Sequence, residues 1–416
     1  MDETIKIKLR DFVKEPFVAT PILSDVPTPK ELVTRARAMI PTLIERAPRQ
    51  QVHRRILDET MAELKEAGFF KILQPKRWGG YELPPRTFFD VQIALAEGDV
   101  SVGWVFGILG VHSFHLALFD DKAAEDVWGS DNTALVASPY SPGHAVPVEG
   151  GFKLTGRWRF SSGTEHCNWV FLGGVVDRGE SHGSFLEADF RTFLLPRSDY
   201  QIVDTWNVVG LKGTGSQDIV VDGAFVPEHR THLMKDATEG TNPGSAPIGS
   251  ALYRYPYWQI FLRVVSSAAI GGLQGMVNAF IEYGSKRVSV TGAKTVFNPE
   301  ATLALAEARA GIDEMRATLR RNFTRMAMYA ETGERPPLDD RMLFKFQCTS
   351  VVKRCATLAL PLFEAAGGSG IFESQPFGRY YTDIVAMGNH VANDFRSAGR
   401  NWGGVMMGLE SQDTLL

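Results

Sequence analysis

Residues 157–174 read RWRFSSGTEHCNWVFLGG and crowd Ser161, Ser162, Glu165, His166 and Cys167 between two apolar runs. Hydroxyl, carboxyl, imidazole and thiol groups packed this closely raise three chemistries: a hydrogen-bonded turn, a metal site, or the wall of a pocket for a polar heterocycle. Strand side chains alternate between faces. Phe152, Leu154, Trp158, Phe160 and Ser162 are therefore expected on one face, with Lys153, Thr155, Arg157, Arg159 and Ser161 on the other. Ser162 then closes an apolar face, where a hydroxyl beside aromatic rings needs a partner from the backbone or from a bound polar heterocycle. The spacing equally suits a plain turn starting at Ser161, Ser162 and Gly163. Metal binding fits poorly, because zinc ligands are spaced as in CxxC or HxxxH and consecutive residues on an extended chain diverge. No metal is expected.

The remaining candidates are weaker by spacing. His112 and His115 stand three apart on a helical stretch with no second ligand pair, and His229 and His232 follow a strand among ordinary surface neighbours. A structural or surface role is the default for each. The segment GLKGTGSQD lacks the GxxxxGK[ST] phosphate-loop spacing and leads into a strand, whereas a dinucleotide fingerprint opens a helix. It reads as a β-turn region. The chain has no GxSxG, so nothing supports a serine hydrolase.

These residues need a scaffold, and the sequence divides into four zones. Residues 1–30, with Pro16, Pro21, Pro27 and Pro29, read as an arm without a core of its own. Residues 31–132 read as a helical domain: Leu57, Met61 and Leu64 recur at helical steps and Gly68 stands where a helix would be capped. Residues 133–240 hold six short β-rich runs, TALVAS, FKLTGRWRFSS, NWVFLGGVV, FRTFLLP, YQIVDTW and SQDIVVDGAFVP, with no helical runs between them. That spacing predicts an antiparallel barrel or sandwich. Residues 241–416 return to long helical patterns, as in Ile312, Met315, Leu319, Phe323 and Met326, and in Val351, Cys355, Leu358 and Leu362. Apolar faces of that length predict a helical bundle.

Bulk properties exclude several classes. The 416 residues carry a formal net charge of −4 and are 44% hydrophobic, with no block of Lys and Arg, so the electrostatic footprint of a nucleic-acid binder is missing. Cys167, Cys348 and Cys355 show no paired spacing, which suits a reducing compartment. The opening MDETIKIKLRDF lacks the apolar stretch of a secretory signal, and no uninterrupted apolar run reaches the roughly 18 residues of a membrane span. A cytoplasmic protein bound to neither nucleic acid nor membrane is expected.

The order of zones, with ELKEAGFFKILQPKRWGGYE near the first boundary, resembles the acyl-CoA dehydrogenase fold: α+β, with an N-terminal helical domain, a central antiparallel β-barrel or sandwich, and a C-terminal four-helix bundle. Within that superfamily GWVFGILGVHSFHLALF, RWRFSSGTEHCNWVFLGG, LPRSDYQIVDTWNVVGLKGTGS, KRVSVTGAK and YYTDIVAMGNHVANDF resemble the oxygenase components of two-component flavin-dependent monooxygenases of the p-hydroxyphenylacetate hydroxylase and secosteroid phenol hydroxylase type. The resemblance implies hydroxylation of a phenolic or indolic substrate by O2 through a C4a-hydroperoxyflavin. It implies reduced FMN, or reduced FAD, supplied by a separate NAD(P)H flavin reductase, and a homotetramer. It places Ser162, with Ser161 beside it, next to flavin N5 and His390 over the reacting edge of the substrate, where a near-neutral imidazole would take the phenol proton. His112 and Trp104 would line the flavin and substrate cavity, and Ser138 and Tyr140 would edge the flavin ring. Arg287 would lie near the flavin phosphate, and Gly367, Gly368 and Ser369 would meet the flavin across a subunit contact. Trp258 stands where the p-hydroxyphenylacetate enzyme carries an arginine for its substrate carboxylate, so a larger or neutral aromatic is implied. An acyl-CoA dehydrogenase would instead require a catalytic carboxylate. The turn MGNHVAND offers His390 and no Glu, with Asp394 the nearest carboxylate. An oxygenase that attacks nitrogen or sulfur, or a helical scaffold that no longer binds flavin, would fit the same order of zones.

Overall fold

The computed structural model describes residues 26–179, 189–289, 292–413 and 415–416. Most of the expected arm lies outside these residues. The first helix already starts at Pro29, because the Thr28 hydroxyl accepts from the Glu31 amide while the Glu31 carboxylate reaches back to the Thr28 amide, and proline suits the first helical position. The N-terminal helices are α1 (Pro29–His53), α2 (Asp58–Glu66), α3 (Pro85–Gly98), α4 (Val100–Leu116) and α5 (Asp121–Trp128). The α4 sequence, VSVGWVFGILGVHSFHL, carries no Asp, Glu, Lys or Arg, and every residue of it is buried, as expected for a helix apolar on all sides. Phe106 on α4 fixes it against Phe88 of α3 and against Phe69 and Phe70, with ring centroids 4.7, 6.1 and 5.7 Å apart.

The strands are β1 (Val136–Ala137), β2 (Gly143–Val148), β3 (Gly151–Ser161), β4 (Trp169–Val176), β5 (Phe190–Pro196), β6 (Gln201–Val203), β7 (Gln217–Pro227) and β8 (Thr231–Leu233). They form one sheet in the order β6-β7-β3-β2-β4-β5-β8, with β1 beside β4. Each of the six β-rich runs supplies a strand. The sheet is mixed and not wholly antiparallel, since β1 and β2 both run parallel to β4. β2 was not among the expected runs because it is mostly exposed and carries almost no apolar alternation.

One departure bears directly on the site. β3 pairs with β7 up to Trp158↔Ile219, then shifts register before Ser161↔Gln217. Within that bulge Phe160 takes φ +70° and is 62% exposed. The extra residue exchanges the faces: Phe160 points outward, and Ser161, expected outside with Arg159, is fully buried. The two-residue alternation therefore holds through Trp158 and fails after it.

The C-terminal helices are α6 (Met234–Glu239), α7 (Ala246–Gly249), α8 (Tyr257–Lys286), α9 (Pro299–Thr332), α10 (Leu338–Thr349), α11 (Val351–Ala366), α12 (Phe377–Met387) and α13 (Phe395–Met406). α8, α9, α11 and α12 pack into a bundle, and α8 also lies along α3 and α4. Ile312, Met315, Leu319, Phe323 and Met326 are all buried, as their spacing predicts; Leu358 is only partly so. Among the described helices α8 alone is long and apolar enough to cross a membrane, and its apolar stretch is wholly buried inside the protein. The close approach of α3 to α8 depends on Gly271, where a Cβ would fall on the Ile93 carbonyl oxygen and the Ala96 side chain. Gly271→Ala is expected to lower stability by about 1–3 kcal/mol through overpacking, read as a lower urea midpoint. An unchanged midpoint would show that the two helices can separate freely.

Candidate active site

Trp104, on buried α4, joins two residues far apart in the chain. Its indole Nε1–H donates to Ser162 Oγ at 3.0 Å, and its ring lies 5.6 Å, centroid to centroid, from His390 in an edge-on arrangement. Ser162 Oγ also lies 2.8 Å from Ser216 Oγ, which lies 2.7 Å from Thr214 Oγ1. The direction of these bonds follows from counting protons. The Thr214 hydroxyl donates to the Leu211 carbonyl at 2.9 Å, so Ser216 must donate to Thr214 and Ser162 must donate to Ser216. Ser162 thus accepts from Trp104, donates to Ser216, and keeps one lone pair. Toward anything else it is an acceptor.

The loop that orients Ser162 is itself anchored to the bundle. Leu211 takes the left-handed conformation, φ +57°, and its amide donates at 2.6 Å to Oδ1 of Asp383 on α12. Asp383 is buried, its Oδ2 has no protein partner, and burial followed by the neighbouring Asp99 charge pushes its pKa up to about 7. GLKGTGSQD, expected as a β-turn, is a short 3-10 helix over Lys212–Thr214 that feeds β7.

His390 ends the turn after α12. Its Nδ1 accepts from the Ala392 amide at 3.1 Å, so the neutral ring carries its proton on Nε2. His390 is half-buried as a residue, and burial pulls its pKa down to about 4. The near-neutral imidazole expected from the sequence is therefore corrected: at neutral pH His390 is uncharged and presents an N–H, because its accepting nitrogen is spent on the backbone.

His112 lies on the same face of α4 as Trp104, two steps of four residues away and about 12 Å along the axis. It is fully buried, and its Nδ1–H donates to the Val136 carbonyl at 2.6 Å. Its Nε2 lone pair has no protein partner, and burial lowers its pKa to about 4. Tyr140 faces it with ring centroids 6.4 Å apart. Ser138 is buried just after β1. Trp258 is buried at the start of α8 and donates from Nε1 to Thr238 at 2.9 Å.

Arg287 and the loop Gly367, Gly368 and Ser369 form a second group. Arg287 ends α8, its backbone amide donating to the Tyr283 carbonyl, and its guanidinium donates from Nη1 to Thr295 Oγ1 and to the Ala365 carbonyl, both at 3.3 Å. Gly367 takes φ +64°, and a Cβ there would strike the guanidinium. Among the described residues, no hydrogen bond or ring contact joins this group to Trp104, Ser162 or His390. Glu165, His166 and Cys167 do not converge: they contact Arg55, the Ile56 carbonyl and the Gly163 carbonyl respectively.

The family model "Acyl-CoA dehydrogenase, C-terminal domain" matches residues 263–395. Over 386 residues the chain is 37% identical to the flavin-dependent monooxygenase oxygenase subunit HsaA of Rhodococcus jostii strain RHA1, covering 92% of this chain and 100% of that protein. The chain belongs to the oxygenase components of flavin-dependent monooxygenases. This oxygenase is 30% identical to the FADH(2)-dependent resorcinol hydroxylase oxygenase component of Rhizobium sp. strain MTP-10005, covering 91% of this chain and 94% of that one. Its fold superposes with TM-score 0.88 on the crystal structure of 3-HSA hydroxylase from Rhodococcus sp. RHA1, at 37% identity over 93% of this chain and 99% of that one.

The polar atoms of this oxygenase suit a flavin ring. The spare lone pair of Ser162, the unpartnered and fully buried Ser161 hydroxyl, and the unpartnered His112 Nε2 together offer acceptors and a donor to a heterocycle with N–H and C=O edges. A dehydrogenase base is not visible in the His390 turn. Asp394 is exposed and caps α13, accepting from the Arg396 and Ser397 amides at 3.2 and 3.3 Å. Sequence reasoning passed over Ser216, Thr214 and Asp383. The hydroxyls at alternate positions in GTGSQ were the available signal, but only the fold turns them toward Ser162.

Proposed function

We propose that this oxygenase hydroxylates a neutral phenolic ring, using O2 and a reduced flavin, FMN or FAD, supplied by a separate NAD(P)H flavin reductase. We also propose that it works as a homotetramer in the cytoplasm, with domains over 31–132, 133–240 and 241–416. The observation that carries this reading is the Ser162 oxygen, held by Trp104 and Ser216 with one lone pair left, beside the His390 ring. A bound reduced flavin supplies the electrons that activate O2.

Every other role falls to side chains. Ser162 would accept an N–H of the flavin ring and hold that proton in place. His390 would donate from Nε2 to the substrate oxygen, and the acceptor His112 Nε2 would orient the ring edge or the substrate hydroxyl. Trp104 excludes water between them. Ser138 and Tyr140 would border the flavin, and Arg287 with Gly367, Gly368 and Ser369 would meet it from a neighbouring subunit; the separation of the two groups within one chain supports that arrangement. Trp258 offers an apolar wall where a carboxylate would need a cation, which favours a neutral aromatic. The name of the resorcinol hydroxylase supports the phenolic class.

Ser162→Ala tests the reading. Reduced FMN and reduced FAD are titrated without oxygen, oxygen is admitted, and hydrogen peroxide is weighed against hydroxylated product over a set of phenols. Wild type should bind one reduced flavin and yield mainly product. The variant should still bind it, with peroxide rising roughly tenfold, the effect of one lost hydrogen bond of about 1.4 kcal/mol. Equal peroxide from both proteins removes the role of Ser162.

A further inference from the structure

His115 and His232, whose spacing suggests only structural or surface roles, stand in the middle of a continuous buried file. The Tyr257 hydroxyl lies 3.0 Å from the Tyr140 hydroxyl, which lies 2.9 Å from His115 Nδ1. His115 Nε2 lies 3.0 Å from His232 Nδ1, and His232 Nε2 lies 3.0 Å from Asn242 Oδ1. His115, His232 and Tyr257 are at most 1% exposed, which corrects the surface setting expected for His232, while Asn242 is partly exposed. The inner end lies among residues of the proposed site: Tyr257 packs on Trp258 at 5.1 Å and Tyr140 faces His112.

Proton counting again fixes the polarity. Burial lowers the pKa of both histidines and keeps them neutral, so each ring has one N–H and one lone pair. With the Asn242 oxygen accepting, every proton points from Tyr257 toward Asn242. If the Asn242 amide turns over, its N–H donates instead and every proton reverses. Both polarities keep all four hydrogen bonds of the file, and the second leaves the Tyr257 proton free to point beyond it. Simple packing does not require this, since the wholly buried polar groups of His115, His232 and Tyr257 cost desolvation that apolar rings would avoid.

We propose that Tyr257, Tyr140, His115, His232 and Asn242 form a proton relay between the active site and the protein surface. The proposal rests on the function given above. In that reaction one anionic reduced flavin, one O2, one aromatic C–H and one proton become oxidised flavin, an aromatic hydroxyl and water, so each turnover must bring one proton to buried groups. In the inward polarity, solvent at the Asn242 end protonates His232 Nε2 as the Nδ1 proton passes to His115 Nε2. The His115 Nδ1 proton moves to the Tyr140 oxygen, the Tyr140 proton to Tyr257, and the Tyr257 proton into the site. His232, His115, Tyr140 and Tyr257 each gain one proton and lose one, Asn242 exchanges none and yields its place on His232 Nε2 to solvent, and no group ends charged.

Two measurements test the relay. Nitrogen-15 NMR of the flavin-free wild-type chain at neutral pH should show His115 and His232 neutral, each with one hydrogen-bonded N–H in slow exchange; a charged ring at either position overturns the proposal. In the flavin-loaded enzyme His232→Phe should leave reduced-flavin affinity unchanged, lower turnover roughly tenfold and raise the solvent deuterium isotope effect. Unchanged turnover and isotope effect overturn it. Should His232→Phe fail to fold, Asn242→Leu at the outer end gives the same readouts: slowed turnover with a raised isotope effect supports the relay, and no change in either overturns it. A wild-type chain that binds no reduced flavin instead overturns the functional reading, and the relay's purpose with it.

Discussion

His390→Ala is expected to lower product formation by about a hundredfold or more while reduced-flavin binding stays within roughly twofold of wild type, because no described contact ties His390 to the Ser162 network except the flank of Trp104. The substitution also separates two chemistries for the same ring. With Nδ1 accepting from Ala392 and a pKa of about 4, His390 offers a donor at neutral pH. His390→Gln, whose amide N–H can stand near the lost Nε2–H, should then recover a measurable part of the rate. A general base would be lost equally in both variants, since an amide does not take a proton. Single-turnover product yields for wild type and the two variants decide it: Gln no better than Ala rules out the donor role.

Acid should destabilise the fold well before its carboxylates are all protonated. His112, His166, His232 and His390 have pKa values pulled down to about 4, and that of His115 is held well below its ordinary value, chiefly by burial in every case. The unfolded chain takes up a proton at each histidine near pH 6.5, and the folded chain refuses it until about pH 4. Stability is therefore lost as pH falls through that window, by about 1.4 kcal/mol per pH unit for each histidine. Asp383, raised to about 7, acts in the opposite sense, since its contribution is lost as pH rises through that value; Asp99 and Glu97, also raised by burial, act as Asp383 does. The five histidines outnumber the three carboxyls, so acid lowers stability on balance. Even the share of one histidine is noticeable beside the roughly 5–15 kcal/mol stability of ordinary domains. Urea midpoints between pH 7 and 4.5 should fall steeply, and a flat or rising series would refute the balance.

The helical stripe at Ile312–Met326 and the six β-rich runs were legible in the chain because period and composition report which faces must leave water. Segments without that signal were not: β2 is exposed, and the bulge at Phe160 breaks the alternation that placed Ser161 outside. The resemblance directed attention to Trp104, Ser162 and His390, and the fold brings these three together.

By itself the sequence determined the fold class and the choice of side chains available for chemistry, since both follow from local pattern and residue type. Only the tertiary structure decided what those side chains can do. Whether Ser162 accepts or donates depends on a file of protons running from Leu211 through Thr214 and Ser216, and which nitrogen of His390 is protonated depends on the Ala392 amide. Hydrogen-bond direction and desolvation are properties of neighbours in space, and residues such as Ser162 and Ser216, or His115 and His232, become neighbours only when the chain has folded.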